Sequence, residues 1–205
     1  MLDFLKAFEP QIEALMQEVL GARVDSERNR ALRREIVLRF LSQVLADDER
    51  ARLLGLPASC RVREGTKILM PERLVCGEHV WIGENAYLDA SGGLSIGAHS
   101  TVGVGVYVWT HTSALANLLQ ANRPGGAHVV RRPTRIGAGC YIVGHSVVNP
   151  GVAIGDGAMV LPMSCVTTDV AAGDIVAGAP AVSIGRADDG LRDRLQDELR
   201  RMREG

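Results

Sequence analysis

The stretch Ile136-Gly137-Ala138-Gly139-Cys140-Tyr141-Ile142-Val143-Gly144-His145-Ser146-Val147-Val148-Asn149-Pro150-Gly151-Val152-Ala153-Ile154-Gly155-Asp156 places an aliphatic residue at every sixth position, and Val160 and Val166 continue the series. Four residues after each rung stands a small or β-branched residue: Cys140, Ser146, Val152, Ala158, Ser164 and Val170. Neither a helix period nor a strand alternation pins two positions in every six. A coil of short β segments does, with the aliphatic turned inward and the small residue tucked into each corner. Hexapeptide periodicity is a signature of β-helix architecture, in which each repeat buries its apolar face against the next.

The pattern extends upstream. Ile82-Gly83 leads to Leu88, and Ile96-Gly97 leads to Val102 and Val108, all at six-residue spacing. The phase slips by two residues at Ser91-Gly92-Gly93-Leu94-Ser95, where glycine can absorb an irregular backbone. Met70 and Cys76 also fall on the upstream phase. From Val108 to Ile136 the ladder stops, and Ala114 to Pro133 shows no apolar repeat. Insertions in solenoids emerge on one face, often the binding face. Residues 114–133 are therefore expected to project as a functional loop.

The chain has 205 residues, 46% apolar and 23% charged, enough for one domain with a sizeable core. Its low aromatic content, 4%, suits a narrow coil filled by Ile, Val and Ala. A net charge of −1 lacks the basic footprint of a nucleic-acid binder. No apolar run reaches membrane-spanning length and no signal peptide is recognisable, so a cytoplasmic protein without an integral membrane segment is expected. Cys60, Cys76, Cys140 and Cys165 lack metal-type pairing, and Cys140 reads as corner filler.

The ends read as helices. Leu2, Leu5, Ile12, Leu15, Met16 and Val19 recur at helical spacing before Gly21. A second helix is expected from an N-cap at Ser26, with Leu32, Ile36, Val37, Phe40, Leu41 and Val44 on its apolar side. Leu191, Leu195, Leu199 and Met202 form a stripe near the C-terminus. The organisation is then a helical region over 1–59, a coil over 60–186 and a C-terminal helix over 187–205. Helices at the ends of a β-helix are expected to cap it or to contact other subunits.

Over residues 60–186 the chain resembles the hexapeptide-repeat acyltransferases, and within them the galactoside, maltose and polysaccharide O-acetyltransferases. The resemblance rests on the stretch from Ile136 to Asp156, on Val166-Thr167-Thr168-Asp169-Val170 and on Val176-Ala177-Gly178-Ala179-Pro180-Ala181. It implies a mainly β fold, a left-handed parallel β-helix of three hexapeptides per turn, assembled as a homotrimer. It also implies acetyl-coenzyme A as co-substrate, bound in a groove between subunits, with a carbohydrate hydroxyl as acceptor and no metal.

In that family the catalytic histidine stands just before the loop, which here is His111 in Val108-Trp109-Thr110-His111. A hydroxyl is a poor nucleophile until its proton is accepted, and histidine can accept it near neutral pH. Thioester attack then needs no covalent enzyme intermediate. The resemblance further points to Tyr141, Gly144, Pro162, Thr167 and Thr168 along the coenzyme. The family's lysine after Thr167 is missing and Val182 replaces another basic residue, leaving Arg186 as the candidate for the coenzyme phosphates. Asp89, Ser91 and Trp109 are expected near the acceptor. Of the other histidines, His79 and His99 read as solvated turn residues, and His128 lies in the loop. His145 reads equally as structural or groove-lining. A metal reading like that of the γ-class carbonic anhydrases, through His111, His128 and His145, remains open. So do an amino-sugar N-acetyltransferase and a scaffold without catalysis.

Overall fold

The computed structural model describes residues 9–20, 27–121 and 126–204. The expectations for Leu2, Leu5, Gly21 and Ser26 lie outside these residues. Short parallel strands stack into a β-solenoid with three faces. The first face carries Arg61–Val62, Trp81–Ile82, Thr101–Val102, Tyr141–Ile142, Met159–Val160 and Asp174–Gly178 in register order. The second carries Lys67–Leu69, Tyr87–Asp89, Tyr107–Val108, Val147–Val148 and Cys165–Val166. The third carries Leu74–Cys76, Leu94–Ile96, Thr134–Ile136 and Ala153–Ile154, extended by a bridge from Ile154 to Val170.

The ladder is the interior of the coil. Ile82, Leu88, Val102, Val108, Ile136, Ile142, Val148, Ile154, Val160 and Val166 are each at most 2% exposed. Each such aliphatic contributes about 1.5–3 kcal/mol of burial. The corner residues Cys140, Ser146, Ala158 and Ser164 are equally buried, and the Ser146 hydroxyl donates to the Leu161 carbonyl at 3.0 Å. Cys140 behaves as filler: its thiol donates to the Gly155 carbonyl at 3.2 Å, and burial pushes its pKa up. Cys76 stands on the ladder in register with Ile96. Met70 does not. It adopts a left-handed φ of 55° before the 3-10 turn Pro71–Arg73, and Leu74 takes the inward place.

The turn histidines have a backbone role. His79, His99 and His145 adopt left-handed φ of 57°, 59° and 60°. The first two share a corner with Gly139 and Gly157, and their rings stack at 4.8 Å. His145 turns the corner between the first and second faces.

Helices α1 (Glu9–Leu20), α2 (Glu27–Ser42) and α3 (Asp47–Leu53) precede the coil, α4 (Ala114–Leu118) lies in the loop, and α5 (Asp189–Glu204) follows. Of the terminal helices, α3 closes the coil's first end. Ala51 is fully buried, and the buried Arg50 donates to the carbonyls of Ser42 (2.7 Å), Leu45 (2.6 Å) and Val62. The last bond ties the helix to the coil's first strand, and the other two satisfy carbonyls at and just after the end of α2. On the longer helices Phe40 is 75% exposed, and Leu195 and Met202 are 53% and 70% exposed. At the far end Ala181–Arg186 folds back antiparallel on Asp174–Gly178 and ends the parallel stack. Among the described residues, no helix is long and apolar enough to cross a membrane.

Candidate active site

The break in the ladder is a hairpin rather than a bare loop. After Thr110 the chain leaves the coil as His111–Thr112, pairs antiparallel with Val130–Arg131 and carries α4 between them. The excursion thus begins three residues before the expected Ala114, and His111 is its foot. Its return is pinned to the coil: the Arg132 N–H donates to the Thr110 carbonyl at 2.8 Å, and the Thr134 N–H to that of Gly93 at 3.1 Å.

One layer earlier the chain passes the same corner through the phase slip, and the two passes meet. Asp89 Oδ2 accepts from His111 Nδ1 at 2.6 Å, from the Thr110 backbone N–H at 2.8 Å and from the Thr110 hydroxyl at 2.9 Å. Its Oδ1 accepts from the Ser91 N–H at 2.9 Å. The Gly92 N–H in turn donates to Thr110 Oγ1 at 2.7 Å, which directs the hydroxyl proton toward Asp89. Glycine is required there, because a Cβ would sit 2.3 Å from the Thr110 carbonyl oxygen. The slip therefore shapes the chain around Thr110.

Burial alone would raise the Asp89 pKa. Donation from Ser91, the Thr110 backbone and His111 outweighs it and holds the carboxyl at about 2. An ionised carboxylate only accepts, so Nδ1 of His111 carries the proton and Nε2 is left to take one. The His111 side chain keeps 26% of its surface exposed, whereas Asp89 keeps none. Asp89, expected near the acceptor, has no exposed side-chain surface here and meets the imidazole and Thr110 instead. Ser91 is likewise buried, with its Oγ 3.3 Å from His111 Nδ1 and its carbonyl accepting from Arg73 at 2.7 Å. Trp109 is half-buried on the outer wall, 5.1 Å from the Tyr87 ring and 6.2 Å from that of Tyr107, with His111 edge-on at 6.0 Å.

The residues expected along the coenzyme occupy two separate corners. Register puts Thr167 and Thr168 below Trp109 and Thr110, with the Asn149-Pro150 layer between, and both threonines are exposed. Gly144 and Pro162 lie on the corner between the first and second faces, reached from the 45%-exposed Tyr141. Gly144 has a packing reason of its own, since a Cβ would lie 2.9 Å from the Val104 carbonyl oxygen. Arg186 is committed locally. It pairs with Asp174 at 2.7 Å and donates to the Ala172 carbonyl at 2.8 Å, with its side chain 65% exposed.

His145 is on a different corner from His111, so even sequence spacing does not bring the proposed metal histidines to one edge of a chain. Among the described residues, no three His, Cys, Asp or Glu side chains converge. Sequence reasoning missed Thr110 and Gly92 as parts of the site. The signal was available, because Gly92 interrupts the repeat one coil turn before the residue it must accommodate.

No family model matches the chain. It is 31% identical over 139 residues to the acetyltransferase WcaF of Escherichia coli (strain K12), assigned to colanic acid biosynthesis, covering 67% of this chain and 68% of WcaF. Among solved structures, the hexapeptide-repeat acetyltransferase VCA0836 of Vibrio cholerae superposes with a TM-score of 0.69 at 23% identity, over 84% of this chain and 99% of that one. VCA0836 has also been solved with acetyl-coenzyme A. A maltose O-acetyltransferase of Clostridium difficile 630 superposes with a TM-score of 0.64 at 18% identity, over 76% and 85% of the two chains. By its repeat, its coil and its likeness to WcaF, the chain belongs to the hexapeptide-repeat acetyltransferases.

Proposed function

We propose that the protein transfers the acetyl group of acetyl-coenzyme A to a carbohydrate hydroxyl, with His111 as general base and Asp89 as the residue that positions it. The observation that carries this reading is the 2.6 Å contact from Asp89 to His111 Nδ1 at the foot of the excursion. It fixes the tautomer with a basic Nε2 on the half-exposed side. Nε2 removes the acceptor's hydroxyl proton as the oxygen attacks the thioester carbonyl. The tetrahedral intermediate collapses by breaking the carbon–sulfur bond, and the imidazolium returns its proton to the departing thiolate. Buried Asp89 stabilises the imidazolium throughout, a stronger effect at low dielectric than in water.

Binding of acetyl-coenzyme A by VCA0836 and the maltose acceptor of the C. difficile enzyme support the substrate assignments. Thr167 and Thr168 on one corner and Tyr141, Gly144 and Pro162 on another can line one groove only if it lies between two copies of the chain. Such a shared groove is in keeping with the homotrimer that the family resemblance implies, and we take that assembly as part of the proposal. The test is a coenzyme-release assay with acetyl-coenzyme A against sugars, other alcohols and amino sugars, beside sedimentation of the same sample. The expected result is acceptor-dependent release with sugar hydroxyls and a trimer mass. Release only with amino sugars would replace the O-transfer reading with N-transfer. No release and no coenzyme binding would leave a scaffold, and a persistent monomer would sink the shared site.

A further inference from the structure

Arg131 stands directly opposite His111 in the hairpin. Side chains of directly opposed antiparallel residues emerge on the same side of the sheet, with Cβ atoms about 4.5–5.5 Å apart. An arginine thus shares the side on which the base emerges. It is exposed, and its side chain has no hydrogen bond or ion pair among the described residues. Arg63, by contrast, is engaged by Glu64 and Glu84, and Arg186 by Asp174. The coenzyme's phosphates do not account for Arg131, because with the thioester at His111 they lie a pantetheine arm away. Guanidinium is suited to planar, bidentate recognition of phosphate or carboxylate.

We infer that Arg131 selects an acceptor bearing an anionic group, phosphate or carboxylate, close to the hydroxyl that is acetylated. The inference rests on the proposed role of His111 and names the acceptor class of that same site. The next residue supplies the control. Arg132 follows the strand Val130–Arg131, and its side chain is turned to the Gly151 corner of the next layer. Its stem packs over Gly151, 3.1 Å from where a Cβ of that glycine would be. Removing either arginine changes net charge equally, so general electrostatic steering predicts equal effects. Specific recognition predicts that only Arg131 matters.

The experiment compares glucose, glucose phosphates and glucuronate as acceptors for wild type, Arg131→Gln and Arg132→Gln. At least one anionic sugar is expected to exceed glucose in kcat/KM by about ten- to hundredfold, the range of a charge-assisted contact. Arg131→Gln should abolish that preference through KM while leaving glucose turnover unchanged, and Arg132→Gln should keep it. The phosphate and uronate arms distinguish the two sources of the anion. Absence of any anionic preference in wild type overturns the inference. So does an equal kcat loss with neutral and charged sugars in Arg131→Gln, which would place the guanidinium on the oxyanion, or a raised KM for acetyl-coenzyme A. Should no sugar be acetylated, calorimetric titration of the same sugars decides. Anion-dependent binding lost in Arg131→Gln upholds the inference while the acetyl-transfer reading falls, and its absence overturns the inference.

Discussion

The corner between the second and third faces is built two ways in one molecule. Downstream the chain rounds it in a short turn, Asn149-Pro150-Gly151, where the Gly151 N–H is satisfied by the Thr134 hydroxyl and the corner residue Val152 is buried at once. Upstream, Asp89-Ala90-Ser91-Gly92-Gly93 takes two extra residues, and in the following layer the chain leaves altogether at His111. The regular corner leaves no titratable group inside the coil. The irregular ones bury a carboxylate against a histidine. Regularity makes a stiff wall because every layer repeats the same contacts, and chemistry enters where a layer departs from the repeat. The strain of departure is contained by pinning both ends of the excursion, at Thr110 and at Gly93.

This contrast predicts that lesions at the two corners separate activity from stability. His111→Ala should lower turnover by about 10²–10⁴-fold, as expected for loss of a general base, with the melting temperature and acetyl-coenzyme A affinity nearly unchanged. Steady-state kinetics and a thermal melt on one preparation check it. Turnover close to wild type would remove His111 from the mechanism. Ile142→Ala, in the regular wall and fully buried, should do the reverse. It should cost about 2–5 kcal/mol through lost burial and a cavity, with kcat maintained below the lowered melt. A fall in kcat at temperatures where this variant is fully folded would show that the wall and the site are not separable.

Asp89 belongs to both sides of the comparison, since it is buried like the wall and polar like the site. Its pKa is lowered from an ordinary 3.8 to about 2, so its contribution to stability is present above about 4 and disappears as pH falls toward 2. A shift of that size corresponds to about 2 kcal/mol at neutral pH. Asp89→Asn should therefore be less stable than wild type at neutral pH, and the gap should close on acidification across that window. It should also slow turnover, because an amide no longer fixes the imidazole tautomer. Melting curves from neutral pH downward check the first expectation. A stability gap independent of pH would mean that the carboxylate's charge is not what the network holds.

How much of this was legible in sequence follows the same divide. The wall could be read because each inward residue is determined by neighbours six positions away, so Ile136 to Val166 specify themselves. The candidate base could be singled out too, since His111 ends the last regular segment. The partnership of Asp89 with His111 was not, because it joins residues one coil turn apart across a phase slip. Their meeting depends on how many residues the slip consumes. Arg50 and Arg186 were hidden for a similar reason: their partners, the Val62 and Ala172 carbonyls and Asp174, are set by how the chain closes its ends. A repeat predicts contacts between equivalent positions, and these contacts join inequivalent ones.

The smallest expected effect concerns the excursion itself. Replacing residues 116–130 by a short Gly-Ser link should leave a folded trimer that still binds acetyl-coenzyme A. The segment removed contains the exposed Leu118 and Leu119, 81% and 56% accessible, and Val130 of the hairpin, while Arg131 and the pins at Arg132 and Thr134 remain. Loop-closure entropy changes slowly with length, so stability should move by only about 1 kcal/mol. Ala116 is the one buried side chain of α4, and losing it adds little. Turnover of an anionic acceptor should fall, because Arg131 loses the strand pairing that sets it opposite His111. Slow hydrolysis of the thioester by water should persist, since His111 and Asp89 are retained. A thermal melt, a sizing run and the coenzyme-release assay on that one variant decide the matter. If the folded trimer is lost, the excursion is an assembly element, and the division between a self-sufficient wall and a separable site fails at its weakest point.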